Sequence, residues 1–125
     1  MAKVLGIGGV FFKSSDPKKL TSWYERTLGF PVDEGGSVSF QPAKLPQTSF
    51  SVWGPFQEST KYFNPSEKRY MFNLIVDDLD EALAQVANAG AEIVGEIEEY
   101  EFGRFGWFLD PEGHKVELWQ PPADD

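Results

Sequence analysis

Two helix signals with the same grammar stand 62 residues apart, at Asp16 and Asp78, and they constrain the fold more than any other feature of the chain. In "SDPKKLTSWYERTLGF" Asp16 is a natural N-cap and Pro17 takes the first helical position. Leu20, Trp23, Tyr24, Thr27 and Leu28 share one face, and Gly29 is a natural stop. In "DLDEALAQVANAG" Asp78 opens the helix with Glu81 three residues on, a capping box. Leu79, Ala82, Leu83 and Val86 form its apolar face, and Gly90 ends it. Each helix follows an apolar run, 4–13 in the first half and 69–77 in the second. Each precedes short apolar segments punctuated by Gly and Pro: 31–33, 37–41 and 48–53, then 92–98, 104–109 and 114–120. A shift of 66 near the end sets "VELWQP" on "FSVWGP". The order β-α-β-β-β, written twice, predicts an α+β fold of two modules.

A chain of 125 residues is one domain's worth, with module one over about 4–55, a linker over about 56–68 and module two over about 69–121. Its aromatic fraction of 15% and hydrophobic fraction of 41% suit a packed core. No run approaches the roughly 20 apolar residues of a membrane span, and "MAKVLGIGGVFFKSSDP" lacks the pattern of an export signal. A cytoplasmic protein with no membrane partner is the expectation. The absence of Cys excludes disulfides and thiolate chemistry. A net charge of −9 argues against a nucleic-acid partner, which needs a basic stripe. Much of the excess lies in "EIEEYE", 96–101, and in Asp124 and Asp125, where it serves solubility or an acidic rim that attracts cations.

"DPKKLTSWYERTLGF" resembles the first helix of the vicinal oxygen chelate superfamily, which includes glyoxalase I, bleomycin-resistance proteins and extradiol dioxygenases. "VDDLDEALAQVANAGAEI" is similar to its second helix and "FLDPEGHKVELWQP" to its closing hairpin, so the resemblance spans about residues 5–121. It implies two βαβββ modules whose sheets combine into a cupped, barrel-like mixed sheet with helices outside, and usually a homodimer.

In that superfamily a glutamate of the last strand points into the cup and binds metal, and the resemblance puts Glu117 there. Alternation then sends Lys115 and Trp119 into the cup and Val116 and Leu118 toward the helices. On the other strands Gly9, Phe11 and Lys13, Ser51 and Trp53, and Met71, Asn73 and Ile75 face inward. The four metal-ligand positions of the superfamily fall on Gly9, Ser51, Met71 and Glu117. A divalent metal wants imidazole and carboxylate, so one usable ligand of four implies no metal cofactor. The lone His114 does not restore the set: "DPEG" has the chemistry of a tight turn, and His114 falls on the face opposite Glu117, as a turn or strand-edge residue.

What remains is an aromatic cup. Its candidate ligand-binding residues are Phe11, Trp53, Met71, Asn73, Arg104 and Trp119, and its candidate catalytic residue is Glu117. Arg104 either reaches an anionic group or answers the acidic run before it. The aromatics of 53–70 suit a lid, a dimer contact or plain connection. Three functions follow. The first is a metal-free small-molecule binder comparable to the bleomycin-resistance branch, suited by charge to a cationic guest. The second is a glyoxalase-type lyase/isomerase or dioxygenase using Glu117 with or without a divalent metal. The third is a dimerising module whose cup is a vestige.

Overall fold

In the computed structural model, which describes residues 1–123, both helices form where their caps stand. Helix α1 runs Pro17–Leu28, with Asp16 Oδ1 accepting from the Lys19 amide at 3.2 Å. It ends on Gly29 at φ +70°, where the amides of Gly29 and Phe30 reach back to the carbonyls of Glu25 and Tyr24. That left-handed cap favours glycine because it has no Cβ to clash. Helix α2 runs Leu79–Asn88, with Asp78 Oδ1 accepting from Glu81 N at 3.0 Å. Asp124 and Asp125, part of the acidic excess, lie outside the described residues.

The second half completes the βαβββ plan. Strands β1 (Phe72–Ile75), β2 (Glu92–Tyr100), β3 (Gly103–Leu109) and β4 (Lys115–Gln120) form one sheet in the order β1-β4-β3-β2. β1 is parallel to β4, and β3 runs antiparallel to both of its neighbours, β4 and β2. The β3–β4 turn is the one its sequence prescribes: Asp110 Oδ1 accepts from the amides of Glu112 and His114, and Gly113 N–H closes onto the Asp110 carbonyl at 3.0 Å. A register shift interrupts the β2–β3 ladder between Val94 and Glu98, with Gly95 at φ +71° inside it.

The core lies between one face of this sheet and the two helices. Phe108, Val116 and Leu118 meet Leu20, Trp23 and Tyr24 of α1 and Leu79, Ala82 and Val86 of α2. Apolar positions at helical spacing on one side thus meet alternate strand positions on the other. Gln120 at the end of β4 receives the Leu79 amide on its Oε1 at 2.8 Å, tying the start of α2 to the sheet.

The first half does not build the second module that its pattern predicts. Among the described residues, 4–13 and 48–53 form no strand, and 31–33 and 37–41 contribute only an isolated Val32–Val38 bridge. The fold is therefore one four-stranded mixed sheet with two helices, not a barrel-like pair of modules. The physical reason is missing support. Gly6, Gly8 and Gly9 leave "VLGIGGVFFK" with few side chains to pack and much backbone entropy to lose. Pro31, Pro42 and Pro46 break up the segments that would flank it. Val4, Leu5, Val10, Phe11, Val52 and Trp53 are exposed as a result, although α1 itself docks fully.

Candidate ligand-binding site

The sheet face away from the helices carries Asn73 and Ile75 of β1, Lys115, Glu117 and Trp119 of β4, and Phe105 and Trp107 of β3. The ladder sets Asn73 beside Glu117, Trp107 beside Glu117 and Phe105 beside Trp119. At its centre Glu117 accepts three hydrogen bonds from uncharged donors. Tyr62 O–H reaches Oε2 at 2.6 Å, Trp107 Nε1–H reaches Oε2 at 2.9 Å, and Asn73 Nδ2–H reaches Oε1 at 2.7 Å. Burial, then the Glu117 carboxylate, push the Tyr62 hydroxyl well above its ordinary range, so it stays a donor.

Lys115 lies beside this carboxylate. Its Nζ donates to the Tyr62 carbonyl at 2.6 Å and stands over the rings of Tyr62 and Trp107. Burial lowers its proton affinity, and the charges of Glu117 and Glu98 partly restore it. Further along the face, Phe105 stacks on Trp119 with centroids 6.1 Å apart and planes 6° apart, and Phe50 leans on Trp119 at 4.9 Å. Trp119 Nε1–H is spent on the Phe102 carbonyl at 2.8 Å, and its ring, only 3% exposed, is covered by Phe105 and Phe50. Tyr100 and Phe102 stack at the acidic end of the face, at 5.2 Å.

The residues singled out in the sequence separate into three groups. Glu117, Asn73 and Trp119 share this face, and half-buried Met71 precedes β1 and borders an open groove of about 730 Å³ made by residues 54–71. Phe11 and Trp53 lie in the unpaired segments, 95% and 80% exposed. Arg104 pairs with Gln120 in the ladder, on the helix side. It is held there by Asp80 at 3.0 Å and Glu99 at 2.9 Å, so it answers protein carboxylates and does not point into the cup.

Tyr62, Trp107 and Glu98 were not singled out as site residues. Trp107 had a readable signal, because the tight turn at 110–113 fixes a hairpin register that sets it across from Glu117. Tyr62 had none beyond its place in an aromatic-rich connection.

His114 stands where the turn meets β4, as expected, with its carbonyl accepting from the Asp110 amide at 2.9 Å, but it is a core residue as well. It is fully buried on the helix side, with Nδ1 2.7 Å from Asp110 Oδ2 and Nε2 3.0 Å from Tyr70 Oη. Tyr24 O–H of α1 donates to the same Asp110 oxygen at 2.8 Å. The network joins turn, helix and connecting segment in the core and faces away from Glu117.

The superfamily's metal does not fit this site. The donors around Glu117 are aimed at the lone pairs a cation would take, Gly9 and Ser51 sit in exposed unpaired segments, and Met71 offers only a thioether. Among the described residues no three His, Asp or Glu side chains converge as metal ligands. Among them, too, no helix is long and apolar enough to cross a membrane.

A four-stranded mixed sheet with two helices on one face and an aromatic, carboxylate-centred surface on the other defines a small α+β fold. The sequence profile of the glyoxalase-like domain matches residues 9–119, and the chain belongs to that family. Among solved structures, it is similar to TnmS3, an antibiotic binding protein from a Streptomyces species. The two share 24% identity over 86% of this chain and 88% of that one, with a TM-score of 0.51. A member of the glyoxalase/bleomycin resistance protein/dioxygenase superfamily from Sphaerobacter thermophilus is 24% identical over 86% and 90%, with a TM-score of 0.50. A glyoxalase family protein from Bacillus cereus is 27% identical, but the match takes in 47% of this chain and 40% of that one at a TM-score of 0.42. The chain thus spans less than half of that protein's length. No curated protein matches the chain. Likeness at these identities shows the fold alone.

Proposed function

We propose that the chain binds a small organic molecule, a cation by preference, on the aromatic face around Glu117 and without a metal. One observation carries this: a carboxylate already satisfied by three neutral donors is set among Trp107, Phe105 and Trp119 on a face that the helices leave uncovered. Flat apolar surface with a few fixed polar groups is what a small-molecule site needs. TnmS3, which shares the fold, is an antibiotic binding protein, and a cup of this kind suits such a guest. Glu117, Asn73, Trp119 and Met71 serve as contacts in this reading, with Phe11 and Trp53 supplied to a partner's cup. The exposed apolar segments 4–13 and 48–53 support a homodimer in which a second copy covers them.

The alternative, a lyase/isomerase with Glu117 as base, draws on the 2.6 Å Tyr62–Glu117 hydrogen bond, because moving Tyr62 would free one acceptor position on Oε2, with Trp107 still donating to that oxygen. Tryptophan-fluorescence titration with organic cations, neutral aromatics and carboxylates tests the binding reading, with metal analysis of the same sample. Saturable quenching that survives a chelator is the expected result. A stoichiometric metal whose removal abolishes binding would overturn it. Light scattering checks the dimer.

A further inference from the structure

Lysine is among the residues least often buried, yet Lys115 is only 9% exposed, on a strand of the cup face. Its ammonium sits in a built environment. The Tyr62 carbonyl accepts from Nζ at 2.6 Å, the Tyr62 ring lies beneath at 5.0 Å from the centroid, and the Trp107 ring stands at 5.8 Å. Tyr62 and Trp107 meet edge to face at 6.4 Å and so form a corner with two π faces. Glu117 is the next residue on the same face of β4, and Glu98, opposite Phe105 in the ladder, adds a second carboxylate that acts on both Lys115 and Tyr62. Two aromatic faces, a carbonyl acceptor and paired negative charge are the chemistry that recognises an alkylammonium ion.

Glu117 does not require Lys115 for its own hydrogen bonding, since Tyr62, Trp107 and Asn73 already supply three donors. The ammonium is therefore exchangeable where the carboxylate is not. A lysine on a four-carbon stem can carry its charge out to water, and burial already weakens its hold on the proton. Two cations in the corner would repel, whereas exchange of one for another keeps the charge balance with Glu117 and Glu98.

We propose that the corner between Tyr62 and Trp107 is an alkylammonium subsite which Lys115 fills from within, and that the ammonium group of an organic cation binds there by displacing it. The proposal rests on the reading of this face as a small-molecule cup and names the ligand chemistry of one corner.

The test uses choline and its uncharged isostere dimethylbutanol, read by tryptophan-fluorescence quenching. Lys115→Met keeps an unbranched stem and removes the competing charge, so choline affinity should rise about tenfold, with the alcohol nearly unmoved. Glu98→Gln, at an exposed position, should weaken choline about threefold and leave the alcohol alone. Should Lys115→Met fail to fold by circular dichroism, the Glu98→Gln result decides alone. Unchanged choline affinity in either folded variant overturns the subsite, as does an equal gain for both compounds, which would mark a merely enlarged apolar pocket. Neutral or aromatic compounds that still quench in that event leave the cup standing. Silence from every compound in every variant would remove the cup as well.

Discussion

Residues 69–121 and 4–55 carry the same order of elements, yet the first of these spans closes a four-stranded sheet and the other yields one helix and an isolated bridge. The helices do not explain the contrast, since α1 and α2 are capped alike and both bury their apolar faces. The connections do. In the second half β3 and β4 are joined by Asp110–Gly113, whose side-chain and glycine chemistry fixes the register locally, and β2 and β3 by the short Glu101–Phe102 link. In the first half the corresponding segments are separated by Pro42, Pro46 and a 3-10 turn at Pro42–Lys44. Alternation states which residues could face a core, but a strand needs a neighbour whose backbone it can pair with. Where turn chemistry supplies that neighbour the sheet completes itself. Elsewhere apolar residues stay in solvent until another surface meets them.

The largest expected difference lies between Phe108 and Trp53. Phe108→Ala removes a fully buried ring from between β3 and the helices and should cost about 3–5 kcal/mol in a urea melt. Trp53→Ala, at a position 80% exposed, should fall within about 0.5 kcal/mol at concentrations where light scattering finds a monomer. Comparable losses at the two sites would mean that the first half packs as firmly as the second. A Trp53 effect that grows with protein concentration would place that packing between copies.

The same contrast explains how much could be read from the sequence. Asp16, Asp78 and Gly29 announced both helices through cap chemistry that is local by nature. Val116 and Leu118 flanking Glu117 gave the faces of β4 by alternation, and the ladder agrees, with both buried and Asn73 beside Glu117. The role of Arg104 is not readable from periodicity within β3 alone, but the Asp110–Gly113 turn supplies the register: with Trp107 across from Glu117, alternation sets Arg104 beside Gln120 on the helix side. Tyr62 reaches Glu117 across 55 residues of sequence, and no local signal encodes such a contact. The buried network around His114 escaped for the same reason, since Tyr24 and Tyr70 come to it from α1 and from the connection.

Tyr24 is where α1 is bonded to the second half, and it offers a middle-sized test. Tyr24→Phe deletes a buried donor to the Asp110 carboxylate and should cost about 1.5–3 kcal/mol. It should also change the alkaline limb of stability. Burial, then the Asp110 charge, raise the Tyr24 hydroxyl far above its ordinary value, so the folded chain keeps a proton that the unfolded chain releases. Stability is fully present below about pH 10 and falls as the pH rises beyond it, by up to about 1.4 kcal/mol per pH unit for this group. Urea melts between neutral pH and pH 11 should show that slope in the parent and a shallower one in Tyr24→Phe. Parallel slopes would mean that the hydroxyl is not shielded as its contacts imply.

The smallest effect belongs to the segment before α1. Its described ties to the second half include the ring of Phe12, 4.8 Å from that of Phe72 and near Tyr70 and His114, and a side-chain hydrogen bond, Ser14 O–H to Glu112 Oε2 at 2.6 Å. That bond holds the Glu112 carboxyl below its usual range, but the carboxylate is only partly buried and also accepts from the Ser15 and Asp16 backbone, so these donors and water replace a lost hydroxyl. Ser14→Ala should therefore shift the urea midpoint by less than about 0.5 kcal/mol. Phe12→Ala should cost more, because a half-exposed ring packed on Phe72 and His114 shields part of the core from water. If the order reverses and Ser14 outweighs Phe12, the chain before α1 is anchored through the Asp110–Gly113 turn. The two halves would then be coupled at their polar rim and not through aromatic packing.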